Sequence, residues 1–228
     1  MRHLKIAIAA FLALSFAAVA TIARAETDQR SFLPGVFETL AKKRAERQKA
    51  KEVSERTKAN DELLAKKGGK AFKVPAKFEP KIVSYTGYAP GTIVIDTRSK
   101  YLYLVERWGK ARRYGVAVGR DGLEFKGKAT IYEKQEWPRW IPTKDMIKRQ
   151  PGKYAKYKDG MDGGPNNPLG ARALYLYQGK VDTRIRIHGT NQPWTIGSAA
   201  SNGCFRMIND HVIDLYGRVK VGAEVVVL

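Results

Sequence analysis

Short apolar runs separated by turn residues recur along the chain from about residue 81 to the end. Runs rich in β-branched and aromatic residues, bounded by Gly, Pro, Asn, Asp or charged residues, predict strands. They lie at residues 92–96, 101–105, 113–118, 129–132, 174–177, 184–188 and 219–228. The helical signals are short, at residues 145–149 and 210–216, and residues 151–168 predict a long loop. This pattern predicts a mainly β fold with short helices, a β-sandwich or an open barrel.

The run at residues 184–188 has a polar and an apolar side. Successive side chains of a strand point to opposite faces, so Ile185 and Ile187 share one face. Arg184, Arg186 and His188 share the other. We therefore expect His188 on a polar face at the end of a strand.

A charged arm precedes the predicted strands. Residues 37–67 are rich in Lys, Arg, Glu and Ala, and opposite charges three or four residues apart favour a solvated helix. Such pairs are Glu46–Lys49, Glu52–Arg56 and Glu62–Lys66. Pro75 and Pro80 mark an extended linker. We divide the chain into a basic arm and linker at residues 26–80 and a folded domain at residues 81–228. The arm is either a spacer or a segment that contacts the envelope or a partner.

The first residues have the pattern of a signal peptide. Basic residues precede an apolar run at residues 6–22, and Ala23-Arg24-Ala25 supplies the small residues of a cleavage site. We predict a signal peptide at residues 1–25, cleavage after Ala25, and export to the periplasm or cell envelope. The alternative is a retained membrane anchor.

The net charge of the full chain is +20. Removing Arg2, Lys5 and Arg24 with the signal peptide leaves 20 − 3 = +17. In the cytoplasm such a charge would indicate nucleic acid, but export argues against nucleic acid as a partner. A basic surface instead favours non-specific attraction to an anionic envelope.

Cys204 is the only cysteine, and His188 is one of three histidines. Exported proteins usually pair their cysteines or avoid them, so a single thiol is best explained by catalysis. The alternative is an inert buried cysteine. A thiol needs a base near neutral pH, and His188 is the candidate. A metal site is not expected, because the mature chain supplies two histidines and one cysteine and zinc takes three or four ligands.

The neighbours of these residues extend the candidate site. The amides of Gly203 and Cys204 offer donors for an oxyanion, and Gly203 permits an unusual backbone angle. Arg206 falls on the same side of an extended chain as Cys204, where it would favour the thiolate or bind a carboxylate. The alternative role of Arg206 is an ion pair with Asp210 at the surface. The carbonyl of Gly189 lies close enough in sequence to orient the imidazole.

Two stretches resemble the signature of the L,D-transpeptidase catalytic domain, also called the YkuD domain. They are Ile187-His188-Gly189-Thr190-Asn191 and Ser201-Asn202-Gly203-Cys204-Phe205-Arg206-Met207. Residues 167–170 and 219–222 also match that family, and the resemblance covers about residues 91–228. It implies Cys204 as nucleophile, His188 as base and acid, the Gly189 carbonyl as the orienting group, and Arg206 and Ser201 in support.

The family commonly has histidine where this chain has Asn202. That position adjoins the nucleophile and is not the base, so the departure leaves the Cys204–His188 dyad intact. Trp194 lies between base and nucleophile, where it either walls the substrate groove or packs at its rim.

The resemblance implies a reaction on peptidoglycan stem tetrapeptides, with no cofactor. Cys204 would attack the carbonyl of the diamino acid, and D-Ala would leave. An amine would then resolve the acyl-enzyme: a neighbouring stem gives a 3→3 cross-link, an envelope protein becomes anchored, and water gives carboxypeptidase activity. Family members are similarly acylated by carbapenems.

Other classes remain open at this point. Sortase-like enzymes share the order His, Cys, Arg, but with a longer separation of His from Cys. Papain-like and NlpC/P60-type peptidases place Cys before His. A non-enzymatic basic protein that binds cell wall or membrane also fits the charge and the export.

Overall fold

The structure, a computed structural model, describes residues 34–67 and 72–228. The predicted signal peptide lies outside these residues. The described residues divide between Arg56 and Thr57 into two units, and the second runs from Thr57 to Leu228. Among the described residues, no helix combines the length and the apolar character that crossing a membrane requires.

Helix α1, Pro34–Lys67, confirms the predicted charged helix before the β domain. Every residue from 38 to 56 is exposed. Gln48 donates a hydrogen bond to Glu52 (3.2 Å), and Lys51 lies 3.9 Å from Glu55. These are contacts one turn apart along the helix, so charge and helix propensity, rather than burial, maintain this part of α1.

The second unit begins earlier than the sequence predicts, at Thr57 rather than Lys81. Asp61 accepts hydrogen bonds from Trp137 Nε1 and from Arg172 Nη2, both at 2.9 Å. Phe78 is buried in a small apolar cluster of the same unit. Residues 57–80 therefore share contacts with the folded domain that composition alone does not reveal.

A nine-stranded sheet dominates the second unit, in the order β1-β4-β3-β2-β11-β6-β7-β8-β10, and β5 and β9 form a second sheet. The strands are β1 Lys81–Ser84, β2 Ile93–Asp96, β3 Tyr101–Val105, β4 Lys110–Gly115, β5 Val118–Gly119, β6 Gly127–Glu136, β7 Arg172–Gln178, β8 Val181–His188, β9 Ala199–Ser201, β10 Phe205–Arg206 and β11 Glu224–Val227. Their pairing is antiparallel except for β2–β11, β8–β10 and β5–β9. The predicted mainly β fold is confirmed.

The helices of this unit are short. They are α2 Lys144–Arg149, α3 Pro151–Tyr154 and α4 Asn209–Arg218, with 3-10 turns at Ala76–Phe78, Ala155–Tyr157 and Pro193–Thr195. The segment predicted as a loop at residues 151–168 thus begins with helical structure. Pro151 starts α3 because its fixed φ suits the first helical position.

One face of the large sheet carries the core. Alternate residues of successive strands are buried there, from Ile93 and Ile95 on β2 to Leu174 and Leu176 on β7 and Ile187 on β8. Residues of α4 pack in the same cluster. Because side chains of a strand alternate, the intervening residues of β7 and β8 lie on the opposite face. That opposite face holds the candidate site.

Candidate active site

The parallel pair β8–β10 brings the two halves of the sequence motif together. Ile187 pairs with Phe205, and His188 pairs with Arg206. Phe205 and Ile187 are buried in the core cluster. Paired residues of neighbouring strands share a face, so His188 and Arg206 lie on the opposite, polar face. Cys204 directly precedes β10 and alternates with Phe205.

His188 is buried, and its Nδ1 lies 2.5 Å from the carbonyl oxygen of Gly189. A carbonyl only accepts, so Nδ1 carries the proton and the neutral ring keeps its lone pair on Nε2. Burial, and next the positive charge of Arg206, lower the pKa of His188 to about 3. The structure therefore holds a neutral imidazole with a defined tautomer.

Gly189 fits because the backbone is crowded there. A Cβ at this position would lie 2.2 Å from Asn209 Oδ1. That oxygen accepts hydrogen bonds from the amides of Ala171 and Thr190, both at 3.1 Å. Asn209 Nδ2 donates to the Thr190 carbonyl at 3.1 Å. Asn209 therefore ties the loop after β8 to the start of β7.

A second asparagine holds the loop that reaches His188. Asn167 Nδ2 donates to the carbonyls of Pro138, Met161 and Asp162 at 3.0–3.1 Å, and its Oδ1 accepts from the Leu169 amide at 2.8 Å. The Leu169 carbonyl, as an acceptor for the imidazole ring, acts to raise the pKa of His188, but less than burial lowers it.

Cys204 is partly exposed, and its Sγ lies 3.7 Å from the carbonyl oxygen of Arg184. Desolvation by the surrounding protein raises the pKa of the thiol. The backbone amide of Arg186 and the guanidinium groups of Arg186 and Arg206 act in the opposite direction. At neutral pH both partners of the candidate dyad are thus uncharged, a thiol and a neutral imidazole.

A bulge in β8 presents the Arg184 carbonyl to this thiol. Tyr175 pairs with Arg186 and Tyr177 pairs with Asp182, so the register shifts between them. Arg184 has a φ of +62°, in the left-handed region. The predicted alternation of polar and apolar side chains over residues 184–188 therefore holds only for the residues after the bulge. The exposed Arg184 side chain does not belong to a regular row with Arg186 and His188.

The turn before Cys204 is fixed by Ser201. The Ser201 hydroxyl donates to the Cys204 carbonyl at 2.5 Å and accepts from the Gly203 amide at 3.1 Å. Gly203 has a φ of +119°, which glycine adopts without strain. The Gly203 amide is thus engaged by Ser201, whereas the sequence suggested it as an oxyanion donor. Ser201 supports the site by shaping this turn.

Asn202 links two groups beside the nucleophile. Its Oδ1 accepts from Arg120 Nη2 at 2.6 Å, and its Nδ2 donates to the Tyr154 hydroxyl at 3.2 Å. The side chain therefore has its own partners in this chain, where the family commonly has histidine.

Arg206 donates from Nη1 to Gln192 Oε1 at 3.1 Å. Its backbone amide and carbonyl pair with the carbonyl and amide of Ala117, both at 2.9 Å. Trp194, in the turn Pro193–Thr195, is 62% exposed. Arg206 is therefore held in the site by hydrogen bonds, whereas the Trp194 side chain is exposed in the loop between His188 and Cys204.

Sequence reasoning missed one arginine of the site. Arg186 makes two hydrogen bonds to Asp182, at 2.7 and 2.8 Å, and its guanidinium lies 4.1 Å from the centre of the Tyr175 ring. The sequence feature that could have identified Arg186 as a site residue is its position two residues before His188, on the same side of the strand. A charge on an exposed strand face is common, so the position alone did not single it out.

Fold and site together define a mainly β enzyme domain with a buried neutral histidine at the end of β8 and a cysteine directly before the paired strand β10. The comparison with known proteins gives the family. The model of the YkuD L,D-transpeptidase catalytic domain matches residues 90–227, and the chain belongs to this family of enzymes. That match favours the transpeptidase over the sortase-like enzyme and the non-enzymatic binding protein.

Relatives in bacteria carry the same family name. "Putative L,D-transpeptidase YqjB" of Bacillus subtilis is 36% identical over 137 residues, which cover 59% of this chain and 69% of that protein. "Probable L,D-transpeptidase ErfK/SrfK" of Escherichia coli is 33% identical over 121 residues, 50% of this chain and 36% of that protein. The chain thus spans only about a third of the length of the second relative.

A solved structure from Brucella melitensis has the higher sequence identity. It is 68% identical, covers 68% of this chain and 96% of that chain, and superposes with a TM-score of 0.48. It is named a probable carnitine operon oxidoreductase, a name that differs from the family of the matched domain.

Proposed function

We propose that this protein is a peptidoglycan L,D-transpeptidase in which Cys204 attacks the bond between the diamino acid and D-Ala of a stem tetrapeptide. The observation that carries the proposal is the hydrogen bond between His188 Nδ1 and the Gly189 carbonyl. It leaves Nε2 as a neutral base on the strand that adjoins the Cys204 turn. The family match supports the substrate class.

The first half-reaction forms a thioester. The Cys204 proton passes to His188 Nε2 as sulfur adds to the carbonyl carbon of the diamino acid. The resulting oxyanion needs a donor, and the Cys204 amide is the candidate, because Ser201 engages that of Gly203. The carbon–nitrogen bond then breaks, and Nε2 returns its proton to the amine of the departing D-Ala.

The second half-reaction releases the acyl group. An amine attacks the thioester carbonyl, His188 Nε2 takes a proton from the amine, and that proton returns to sulfur as the carbon–sulfur bond breaks. The lowered pKa of His188 means that the resting imidazole is neutral, so its Nε2 lone pair is free to accept a proton. We propose an amine of a neighbouring stem or of an envelope protein as the acceptor.

We also propose that the protein acts in the periplasm or cell envelope after cleavage near Ala25. The basic run, apolar segment and small residues at positions 1–25 support export. Exposed basic residues of α1 would then favour peripheral contact with anionic envelope components.

Acylation by a carbapenem tests the nucleophile. The wild-type protein is expected to gain the mass of one carbapenem, and Cys204→Ala is expected to gain none, because the mature chain has no other thiol. Intact-protein mass spectrometry measures the adduct. Cys204→Ser is the matched control, since it keeps a polar side chain of similar size with a much weaker nucleophile. Circular dichroism checks the fold of both variants, and an adduct on folded Cys204→Ala would refute the assignment.

A further inference from the structure

An open cavity of about 570 Å³ lies beside the nucleophile turn. Its lining residues are Arg120, Asp121, Leu123, Arg149, Gln150, Tyr154 and Asn202. The volume is that of a typical small-ligand site, so it can take part of a peptide rather than a single ion. Asn202 lies two residues before Cys204, so a substrate bound to the thiol has this cavity within reach.

The charged lining of the cavity is positive on balance. Two guanidinium groups, those of Arg120 and Arg149, face one carboxylate, that of Asp121. Arg120 and Tyr154 also act on Arg206 electrostatically, so the cavity and the catalytic site lie in one electrostatic neighbourhood. A carboxylate is a ligand group that guanidinium groups bind well, because the fork of N–H donors matches its two oxygens.

Arg120 is held in place before any ligand binds. Its Nη2 donates to Asn202 Oδ1 at 2.6 Å, and Asn202 donates onward to the Tyr154 hydroxyl at 3.2 Å. Its backbone amide donates to the Ser201 carbonyl at 3.2 Å. The bond to Asn202 uses one of the five N–H donors of the guanidinium. A held guanidinium loses less freedom on binding, which favours affinity.

We propose that this cavity is a recognition subsite for a free carboxylate of the peptide substrate. Arg120 and Arg149 bind the carboxylate, and Asn202 is the positioning residue for Arg120. The proposal rests on the proposed transpeptidase function and adds a selectivity to it, for acidic peptides over peptides whose carboxylates are amidated. The carboxylate belongs to the donor peptide or to the acceptor, and the experiment separates the two.

The donor arm compares two tetrapeptides that share the diamino acid and D-Ala. In one, the side-chain carboxylates are free, and in the other they are primary amides. Release of D-Ala gives kcat and KM. We expect Arg149→Gln and Arg120→Gln to raise KM for the acidic donor about 10-fold or more, the loss of one charge-assisted hydrogen bond, with kcat nearly unchanged. KM for the amidated donor stays constant.

The acceptor arm keeps the donor fixed and compares glycine with glycinamide as the attacking amine. A selective loss of transfer to glycine in the arginine variants assigns the carboxylate to the acceptor. Arg107→Gln is the matched control, because it removes the same charge from an exposed turn outside the cavity. It is expected to leave both arms unchanged.

Asn202→Ala tests the positioning role. It is expected to raise KM for the acidic substrate without lowering kcat, and to add little when combined with Arg120→Gln, because both changes remove the same held guanidinium. Equal losses on acidic and amidated substrates would show a general structural role and would overturn the proposal.

A binding measurement separates this proposal from the proposed function. Calorimetry on Cys204→Ala with the acidic and the amidated tetrapeptides, and with glycine and glycinamide, requires no catalysis. Tighter binding of an acidic form, lost in Cys204→Ala combined with Arg149→Gln, supports the subsite even if the wild-type protein forms no thioester. Equal binding of each acidic and amidated pair overturns the subsite, while thioester formation by the wild-type protein would still stand.

Discussion

The protonation of His188 is set by its own backbone and by its burial. The Gly189 carbonyl at 2.5 Å fixes the proton on Nδ1, and burial keeps the ring neutral. Burial also raises the pKa of the Cys204 thiol. The resting site is therefore an uncharged pair rather than a thiolate with an imidazolium. In the proposed mechanism, the thiolate forms during the attack on the substrate, when Nε2 removes the proton.

The reaction of Cys204 with iodoacetamide should report this uncharged pair. Only the thiolate reacts rapidly, and a raised thiol pKa keeps the neutral form to higher pH. The rate is therefore expected to rise continuously from about pH 7 to about pH 10, around and above the usual pKa of a thiol. Intact-protein mass spectrometry follows the alkylation, and a plateau extending below neutral pH would contradict the uncharged pair.

His188→Ala is the companion variant in this experiment. It should alkylate more slowly than wild type near neutral pH, because no base removes the thiol proton. The two rates should converge at high pH, where the thiolate forms without a base. Equal rates near neutrality would count against a pairing of His188 with Cys204.

At the scale of elements, the sequence predicted those strands whose side chains alternate between buried and more exposed positions. Runs such as residues 101–105 alternate buried and half-buried side chains, and the strand has those bounds. Strand β1 was missed because Lys81–Ser84 is a mostly exposed edge without alternation. Strands β5 and β10 have two residues each, too few for a period to show. Their pairing with distant partners, which sequence spacing does not encode, defines them.

Within the site too, the sequence revealed local motifs but not contacts between residues that are distant in the chain. Cys204, His188 and Gly189 were predicted from their residue types, their spacing and the family resemblance. The structure places His188 at the end of β8, Gly189 directly after it, and Cys204 directly before the paired strand β10. Asn209 directly precedes the helical signal at residues 210–216, a position typical of a helix cap, but its side chain bonds to Ala171 and Thr190. A helix cap is a local pattern, whereas these partners are distant in the chain, so only the fold identifies them.

Asn209 should therefore matter for stability. Asn209→Ala removes the acceptor for two backbone amides and one donor, and is expected to lower the free energy of unfolding by about 2–4 kcal/mol. Urea denaturation measures it. Asn191→Ala is the control, because Asn191 makes one exposed hydrogen bond, to the Asn166 carbonyl, and should cost less than about 1 kcal/mol. Equal costs for the two variants would contradict the bracing role.

At the scale of the whole molecule, the end of the arm is part of the folded unit. The Arg172 side chain is nearly buried and pairs with Asp61. Phe78 packs closely on Gly115 and Gly197, where a Cβ on either glycine would overlap its atoms. Residues 57–80 thus contribute to the unit that holds the site, although their composition resembles a linker.

Two truncations test this division. Deleting residues 26–56 should leave the melting temperature of the β domain nearly unchanged, because the contacts of Asp61 and Phe78 remain. Deleting residues 26–80 should lower it markedly, since Arg172 loses its 2.9 Å ion pair with Asp61 and the Phe78 site becomes a cavity. Differential scanning calorimetry compares them. Asp61→Asn in the full chain isolates the charge contribution, and equal melting temperatures of the two truncations would refute the boundary at Thr57.

Strand β8 supplies Ile187 to the apolar interior and His188 to the chemistry, one residue apart. A shift of this strand by a single position would exchange its two faces, so that Ile187 would leave the core and His188 would leave the site. Substitutions or register changes in β8 therefore tend to cost stability or activity. New substrate preferences in descendants of this protein must arise in the segments around the strand, such as the turn that bears Asn202 and the short helices near Arg149, where replacement leaves the interior untouched.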